Sequence, residues 1–464
     1  MKSNSVKFFN PKTVTLTSVE GVEYDISAAV IAFSYYEDIF QPFVTGNLAM
    51  VDSGLNLIGN LPIQGGEKIK IELDNIKDEP VEYNLCLWKI YNRKFEQNIQ
   101  YYTMSVASEE AINNESARVL DNISGKAEAI VSDILKNILK TTKDLQAEPS
   151  SYNFNLMPSG RKSHAVCQSL MARTVPINTS FKKGKKASKE SGSNGLSANA
   201  TEAKGTAGYL FFENKDGFVF KSMDLLCSDG TDSFKGTPPV AKYFSRPAIS
   251  LEPEEVFYTI EQYKFTDEID IIDKLSNGVF STHMCYFDMS SQKYEEYLYD
   301  MRTTFDNMSH LGSQDKLPKY QTEQSVNPSR VMSILLDHEM WYDGEEIANP
   351  DEDGDAEFAD YAKYYTAQSI GRRYLMENQK VEITIPGNSD LKVGDKITIM
   401  LPNMVAQGIR ESNPYDEENS GTYLISALSH NYQMVVENGT PAFTSRVRLI
   451  RDTYGIKEYD SKVK

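Results

Sequence analysis

The chain has 464 residues, of which 40% are hydrophobic and 11% aromatic, and its formal net charge at pH 7 is −18. This apolar content can fill several cores, so it excludes an intrinsically disordered chain and predicts three or four domains. The acidic balance disfavours binding to nucleic acid backbones and to anionic lipid surfaces.

Cysteine usage and the first residues indicate where the protein is made. The four cysteines are widely spaced, form no Cys-x-x-Cys pair and are expected to be reduced, buried, intracellular thiols: Cys86, Cys167, Cys227 and Cys285. The first nine residues lack the apolar run of a signal peptide, and no stretch approaches the roughly 18 apolar residues of a membrane span. We therefore expect a soluble protein made in a cytoplasm, without membrane insertion.

Residues 12–108 are predicted to form one β-module of six or seven strands. Apolar and polar residues alternate over 14–19, 26–36 and 48–51, and again in the octet Gly66–Leu73. Two further strands, at 85–95 and 101–106, flank a hairpin turn at Gln97-Asn98. The absence of a convincing helical pattern favours a small barrel or sandwich.

Helical patterns and a low-complexity segment follow. Apolar residues recur on one face from Ala127 to Lys140 and predict an amphipathic helix, with lysines complementing the dipole near its end: Lys136, Lys140 and Lys143. A second short helix is predicted at 163–173. Residues 182–206 are rich in Gly, Ser, Ala and Lys, and no aromatic residue is interleaved for base stacking. They predict a flexible surface loop and not a nucleic-acid site.

The second half of the chain alternates strands with an insertion. Two aromatic-rich strands within 208–222 flank Asn214-Lys215-Asp216-Gly217, which predicts a hairpin. A strand is predicted at 255–265, and the tyrosine-rich, acidic region from Lys293 to about Gly371 is interpreted as an insertion. A helix at 356–376 and a strand at 381–385 are predicted to lead into the octet Gly394–Leu401.

The octet Gly394–Leu401 repeats the octet Gly66–Leu73, with Gly, an acidic residue, Lys, Ile, Ile and Leu at the same spacing. Each octet is preceded by a short apolar pair and followed by a long alternating segment, at 85–106 and 423–450. Each predicts a strand with one buried face. In the second octet, one side of the strand carries Lys396, Thr398 and Met400. The other side carries Ile397, Ile399 and Leu401. Turn-plus-strand octets also occur by chance, but the similar surroundings favour two copies of one β-module.

Known catalytic and metal motifs fail in this sequence. His338-Glu339 begins like a zinc-protease helix, but Tyr342 stands where the second histidine is needed. The acidic run 351–355 resembles a calcium loop, but Ala356 and Ala362 replace its required Gly and Glu. The five histidines are scattered: His164, His283, His310, His338 and His430. We therefore predict no catalytic, cofactor-binding or metal residue, although a sequence cannot show two carboxylates converging across a cleft.

In the order of its segments the chain resembles the baseplate hub proteins of contractile-tailed, T-even-like phages. The resemblance covers nearly the whole chain at the level of organisation and is carried by the first module with Gly-Glu-Lys-Ile, the helix 127–140, the hairpin 211–220, the segment 275–288 and the closing segment 391–397. It implies two tail-tube-like barrels per chain and a trimer that presents six barrels between a sixfold tube and a threefold spike. The loop 182–206 and the acidic stretch 340–360 look like insertions relative to that family.

The predicted fold is α+β and β-rich, with two tail-tube-type β-barrel domains and helix-containing inserted domains. The predicted limits are 1–110 for the first barrel, 111–250 for an α+β middle domain, 251–290 plus 380–455 for a discontinuous second barrel, 291–379 for an inserted peripheral domain and 456–464 for a tail.

The predicted function is structural, in the tail baseplate of a virion, with no cofactor. The resemblance implies a homotrimer with these partners: the central spike or tail lysozyme, tail tube or tube-initiator proteins, baseplate wedge proteins and a tape measure protein. DNA would pass through the channel without specific binding, and the net charge of −18 predicts an acidic channel wall. Two alternatives stay open: a hub of a related contractile injection machine, and a tail-tip cell-wall hydrolase.

Overall fold

The computed structural model describes residues 10–54, 56–61, 63–74, 79–151, 153–177, 207–230, 236–245, 257–267, 270–289, 292–313, 328–336, 358–404, 414–434 and 442–457. The predicted loop 182–206 and the acidic run 351–355 lie outside these residues. Within them, no helix combines the length and the apolar character that a membrane span requires.

The first module is a curved sheet of seven strands around one core. Its elements are β1 (Asn10–Thr17), β2 (Glu23–Asp25), β3 (Val30–Asp38), β4 (Thr45–Asp52), α1 (Leu57–Asn60), β5 (Lys68–Asp74), β6 (Pro80–Glu96) and β7 (Ile99–Ala107). Neighbouring strands follow the order β2-β1-β5-β6-β7-β4-β3. The predicted hairpin is confirmed, because Glu96 pairs with Ile99 and Gln97 adopts a φ of 54° in the turn.

The middle region mixes short strands with helices. It contains α2 (Glu109–Ser116), β8 (Arg118–Val119), β9 (Ile123–Lys126), α3 (Ala127–Asp133), β10 (Leu145–Ala147), β11 (Asn153–Leu156), β12 (Arg161–Lys162), α4 (Ser163–Met171), β13 (Tyr209–Asn214), β14 (Gly217–Ser222) and α5 (Met223–Cys227). Helix α3 continues into a wider π-helical turn, Ile134–Ile138, so the predicted amphipathic helix is confirmed. Lys143, which was predicted to complement the helix dipole, pairs with the carboxylates of Glu110 and Glu213.

The predicted hairpin β13–β14 is confirmed and lies at the centre of the chain. Asn214 pairs with Gly217, and the Asn214 side chain accepts a hydrogen bond from the Asp216 N–H within the turn. Gly217 has a φ of 127°, and a Cβ there would lie 2.5 Å from the backbone oxygen of Asp144, so only glycine fits without a shift. Almost every residue of both strands is buried. Successive side chains therefore point into two different cores.

The second module is interrupted by an insertion with its own sheet. The chain continues through β15 (Ala241–Phe244), β16 (Gln262–Asp267), α6 (Ile271–Ser276), β17 (Ser281–Asp288), β18 (Lys293–Asp300), β19 (Arg330–Leu336), α7 (Phe358–Met376), β20 (Gln379–Pro386), β21 (Lys396–Met400), β22 (Gly421–Gln433) and β23 (Ala442–Arg451). Strand β17 pairs with β18 and β19 in a separate three-stranded sheet. It was predicted with the second barrel, within 251–290, and its hydrogen bonding moves it to the insertion.

The two modules share one topology. In both modules the octet strand lies at one end of a five-strand series. Next to it come the two strands that follow it in the chain, and then the two strands of the same module that precede it: β5-β6-β7-β4-β3 and β21-β22-β23-β20-β16. In both, a β-bulge lies two residues beyond the partner of the octet lysine, at Trp88 in β6 and at Ser426 in β22. The modules differ at one edge, because β1 runs antiparallel to β5 whereas β15 runs parallel to β21.

The two octets differ in burial. In β5 the apolar residues are buried and the polar ones partly exposed, as predicted for a strand with one buried face. In β21 all five residues are buried, so the same prediction is wrong for the second octet. Helix α5 contacts the polar side of β21, where the Lys396 Nζ donates to the Leu226 carbonyl over 2.9 Å. The two octets therefore share one sequence pattern, but only the second is buried on both faces, with α5 against its polar side.

The cysteines follow the predicted pattern with one exception. None of the four, all of which the structure describes, forms a disulfide. Cys86, Cys167 and Cys227 are buried, whereas Cys285 is only half-buried. Cys285 lies on the outer side of the sheet β17–β18–β19, which no described element covers, so the prediction that it is buried is wrong.

Candidate functional site

The two modules are joined edge to edge by one pair of strands. Strand β3 pairs antiparallel with β22, from Asp38 opposite Ala427 to Ala32 opposite Gln433. This junction merges both modules into one 13-stranded sheet. Main-chain pairing between β3 and β22 therefore connects the two modules directly.

Side chains reinforce the junction on both faces of the sheet. On the core face, the ring of Tyr432 from the second module stacks on Phe33 of the first, with centroids 5.9 Å apart. Its hydroxyl is 2.8 Å from the hydroxyl of Tyr83. On the polar face, the Ser34 hydroxyl donates to the Asn431 amide oxygen over 2.9 Å. The core of the first module thus includes side chains of the second.

Strand β22 uses the same edge for two partners. Its first residues, Gly421–Leu424, pair with the octet strand β21, and after the bulge at Ser426 the residues 427–433 pair with β3. A bulge bends a strand and increases its twist, so the second half of the strand turns away from its first neighbour. This construction frees half of one edge for a strand of the other module.

Strand β6 of the first module has the same construction, but half of its edge has no strand partner. Its first half pairs with β5 up to Cys86, and beyond the bulge at Trp88 the residues 89–96 pair with β7 alone among the described strands. Strand β16 is the counterpart of β3 in the second module. Of the strands that the structure describes, it pairs with β20 alone. The two edges that correspond to the internal junction are therefore open.

Large apolar side chains lie exposed along the open part of β6. Trp88 and Phe95 are 53% and 64% exposed. Lysine and arginine side chains stack over the aromatic rings between and beside them, with Lys89 Nζ 5.4 Å from the ring centre of Tyr91 and the Arg93 guanidinium 4.8 Å from that of Phe95. An open strand edge with exposed aromatic residues is a site where another chain can add a strand.

A polar groove of about 770 Å³ runs over the junction on the solvent side of the sheet. Its charged lining consists of three carboxylates and two guanidinium groups: Glu37, Asp38, Glu382, Arg446 and Arg448. Arg448 and Glu382 form an ion pair over 3.2 Å. Acidic and basic side chains are therefore interspersed in the groove, with one more carboxylate than guanidinium group.

A buried carboxylate ties the hairpin β13–β14 to both modules. Glu37 of β3 accepts hydrogen bonds from the backbone N–H groups of Lys215, in the hairpin turn, and Val393, before the second octet, over 2.6 and 2.9 Å. The Tyr35 hydroxyl donates a third, over 3.0 Å. Burial raises the pKa of Glu37 to about 7 although these hydrogen bonds favour the charged form. Glu37 therefore fixes the relative positions of three segments.

A second buried cluster joins the middle region to the hairpin. The Lys143 Nζ lies 2.5 Å from a carboxylate oxygen of Glu213 and 2.6 Å from one of Glu110. Glu213 also accepts a hydrogen bond from the backbone N–H of Val44, in the first module. Burial acts against the charge of Lys143, but the two carboxylates outweigh it and raise the pKa of the lysine. The cluster positions β13 beside the first module.

A third cluster ties the insertion to the end of the second module. Arg372 of α7 lies 2.7 Å from Asp452 and donates to the Ser309 carbonyl over 2.6 Å. The His310 ring nitrogen Nδ1 is also 2.7 Å from Asp452. Burial raises the pKa of Asp452, but the neighbouring His310 and Arg372 prevail and hold it well below its usual range. These charged groups thus have a structural role.

The remaining histidines fall into different environments. His164 and His430 are buried among aromatic rings, and burial lowers their pKa values to about 4 and about 3. His338, with the failed zinc-protease pattern, lies outside the described residues. His283 lies in a group that sequence analysis missed: it converges with Cys285 and Glu296. The His-x-Cys spacing on a strand was a usable signal, but the pairing of β17 with β18 was not visible.

No protein-family model and no curated protein matches this sequence. Among solved structures, the tail protein from Neisseria meningitidis MC58 is similar with a TM-score of 0.54 and 10% identity, over 96% of this chain and 97% of that one. The 43 kDa tail protein of prophage MuSo2 from Shewanella oneidensis gives 0.47 and 9%, over 95% and 98%. A type VI secretion component from E. coli, described as similar to T4 bacteriophage tail proteins gp27 and gp5, gives 0.41 and 8%, over 96% and 78%.

At these identities the likeness shows the fold alone, and the Neisseria tail protein is the one of the three similar enough to support a comparison. The predicted β-rich α+β fold is confirmed. The Neisseria neighbour is described as a tail protein, which agrees with the sequence resemblance at the level of the fold. This chain has the fold of the Neisseria tail protein.

Proposed function

We propose that this protein is a structural hub of a phage tail baseplate, in which three chains form a closed ring of six β-modules. The observation that carries the proposal is the internal junction between β3 and β22, whose counterparts β16 and β6 are open. In the ring, β16 of one chain pairs with residues 89–96 of β6 in the next chain. The contact between chains thus repeats the contact within a chain.

This contact is heterologous, because the second module of one chain meets the first module of another. Heterologous contacts generate closed rings when the rotation closes and open filaments when it does not. Two modules per chain make a trimer the smallest ring with pseudo-sixfold symmetry. Such a ring can stack on a hexameric tube by one face and on a trimeric spike by the other.

The proposed partners follow from that position. They are the central spike or tail lysozyme, the tail tube or its initiator, baseplate wedge proteins and a tape measure protein, all in the virion. DNA would pass through the ring without specific binding. We propose the domain limits predicted from the sequence, with β17 transferred to the inserted peripheral domain. We assign no catalytic role, because the buried carboxylates Glu37, Glu213 and Asp452 hold segments of the fold together.

Solution mass tests the proposal. Light scattering of the purified full-length chain, alone and mixed with its spike partner, should give a trimer in at least one sample. Trp88→Glu and Phe95→Glu should each reduce the trimer, because they place a charge beside the proposed strand pair. Leu120→Glu, at a side chain that is 75% exposed in the middle region, should leave the trimer intact. A strict monomer in both samples would reject the ring.

A further inference from the structure

The outer face of the sheet β17–β18–β19 brings together three side chains that bind transition metals. His283 and Cys285 are two residues apart on β17, so both side chains point to the same face. Glu296 on β18 is directly opposite Cys285. One imidazole nitrogen, the thiol sulfur and one carboxylate oxygen all lie within 4.8 Å of one another.

The arrangement leaves one polar atom without a hydrogen bond. The Nε2 atom of His283 lies 3.3 Å from a carboxylate oxygen of Glu296, but it is shielded from solvent and forms no hydrogen bond. A buried polar atom without a hydrogen-bond partner destabilises the fold. The Tyr294 hydroxyl donates to the other carboxylate oxygen of Glu296 over 2.8 Å, which orients the carboxylate towards the histidine. A cation between the three side chains would satisfy all of them.

We propose that His283, Cys285 and Glu296 form a zinc-binding site on the inserted domain. Nitrogen, sulfur and oxygen ligands together suit Zn²⁺, which binds all three kinds of atom. Zinc ligands lie about 2.0–2.3 Å from the ion, so tetrahedral neighbours are about 3.5 Å apart. Side-chain movements of about 1 Å would bring the three atoms to that spacing.

The site is accessible to an ion and leaves room for a fourth ligand. The side chains of His283 and Glu296 are 22% and 43% exposed, so an ion can enter without opening the fold. Three protein ligands leave one tetrahedral position for water or for a group from another molecule. The bound ion would fasten β17 to β18 at the outer face. This proposal does not depend on the proposed ring.

Cobalt and zinc titrations test the site. The untagged full-length chain, first treated with a chelator, should bind one equivalent of Co²⁺ and show the ultraviolet charge-transfer absorption of a cobalt–thiolate bond, which Zn²⁺ should then abolish. Cys285→Ser should remove this absorption. His283→Gln and Glu296→Gln should each weaken metal affinity by at least about tenfold. Zn²⁺ should also raise the unfolding temperature of the wild type and not that of Cys285→Ser.

Matched controls separate the site from other thiols. Cys86→Ala should retain the cobalt–thiolate absorption, because Cys86 is buried in the first module. Circular dichroism of each variant establishes that loss of binding is not loss of folding. The proposal is overturned if the wild type shows no cobalt–thiolate absorption, if Cys285→Ser retains it, or if the three substitutions leave metal affinity unchanged.

Discussion

Replacing Arg372 with methionine should show how strongly the buried ion cluster holds the insertion to the second module. The guanidinium is fully buried and lies 2.7 Å from Asp452 and 3.6 Å from Asp224. Methionine retains the packing of the aliphatic stem but removes the charge. The buried carboxylates of Asp224 and Asp452 would then lose the guanidinium, and Asp452 would keep its contact with the His310 ring.

The expected loss of stability follows from that geometry. Removing one partner of a buried ion pair typically costs about 3–5 kcal/mol, because the other charge is left unpaired away from water. The hydrogen bond to the Ser309 carbonyl is lost as well. We therefore expect the free energy of unfolding of this part of the chain to fall by at least about 3 kcal/mol. Urea unfolding followed by circular dichroism and tyrosine fluorescence measures the shift in midpoint.

The neighbouring residue provides the control. Arg373 of the same helix pairs with Glu377 over 2.6 Å, and both side chains are partly exposed. Such pairs contribute about 1 kcal/mol or less, so Arg373→Met should shift the midpoint far less than Arg372→Met. Equal shifts for the two variants would show that the buried cluster does not stabilise the fold as argued.

Three further substitutions test other parts of the structure. Lys143→Met should destabilise the chain by about 3 kcal/mol at pH 7, because Glu110 and Glu213 lose their cationic partner. Lys162→Met removes an exposed ion pair and is the control. Similar unfolding midpoints for the two variants would contradict the argument. Gly394→Ala should lower the free energy of unfolding by about 1 kcal/mol more than Gly66→Ala. Both glycines have a positive φ, but a Cβ at 394 would lie 2.9 Å from Phe212 whereas one at 66 would meet no atom. Equal unfolding midpoints for the two variants would contradict this prediction. Burial lowers the pKa of His164 to about 4, so the unfolded state takes up the proton first, and the free energy of unfolding should fall by about 3 kcal/mol between pH 6.5 and pH 4. His164→Leu should flatten this pH dependence in urea titrations, and an unchanged slope would refute the assignment.

Local patterns predicted the elements better than their partners. The hairpins at 97–98 and 214–217, the helix from Ala127 and the octet strands are each specified by turn residues or by apolar spacing within a short stretch. The predicted repeat is visible in the strand order, which is the same around both octets, because both copies of the module carry similar patterns. These features depend on neighbours in sequence, which a single sequence shows.

What the sequence did not reveal depends on distant segments. Lys396 looked like an exposed strand residue, and its burial comes from the carbonyl of Leu226, far away in the chain. The pairing of β17 with the insertion and the convergence of Glu296 on Cys285 require the register between two strands. The junction between β3 and β22 is likewise a pairing of distant segments, so the open edges of β6 and β16 could not be identified beforehand.

The most direct test of the proposed ring is hydrogen exchange measured on the assembled and the dissociated chain. The account predicts that amides of residues 89–96 and 262–267 exchange slowly in the trimer and faster in the monomer, whereas the internal junction at 427–433 stays protected in both. An assembly in which residues 89–96 and 262–267 exchange as fast as in the monomer would contradict the claim that the contact within the chain is repeated between chains.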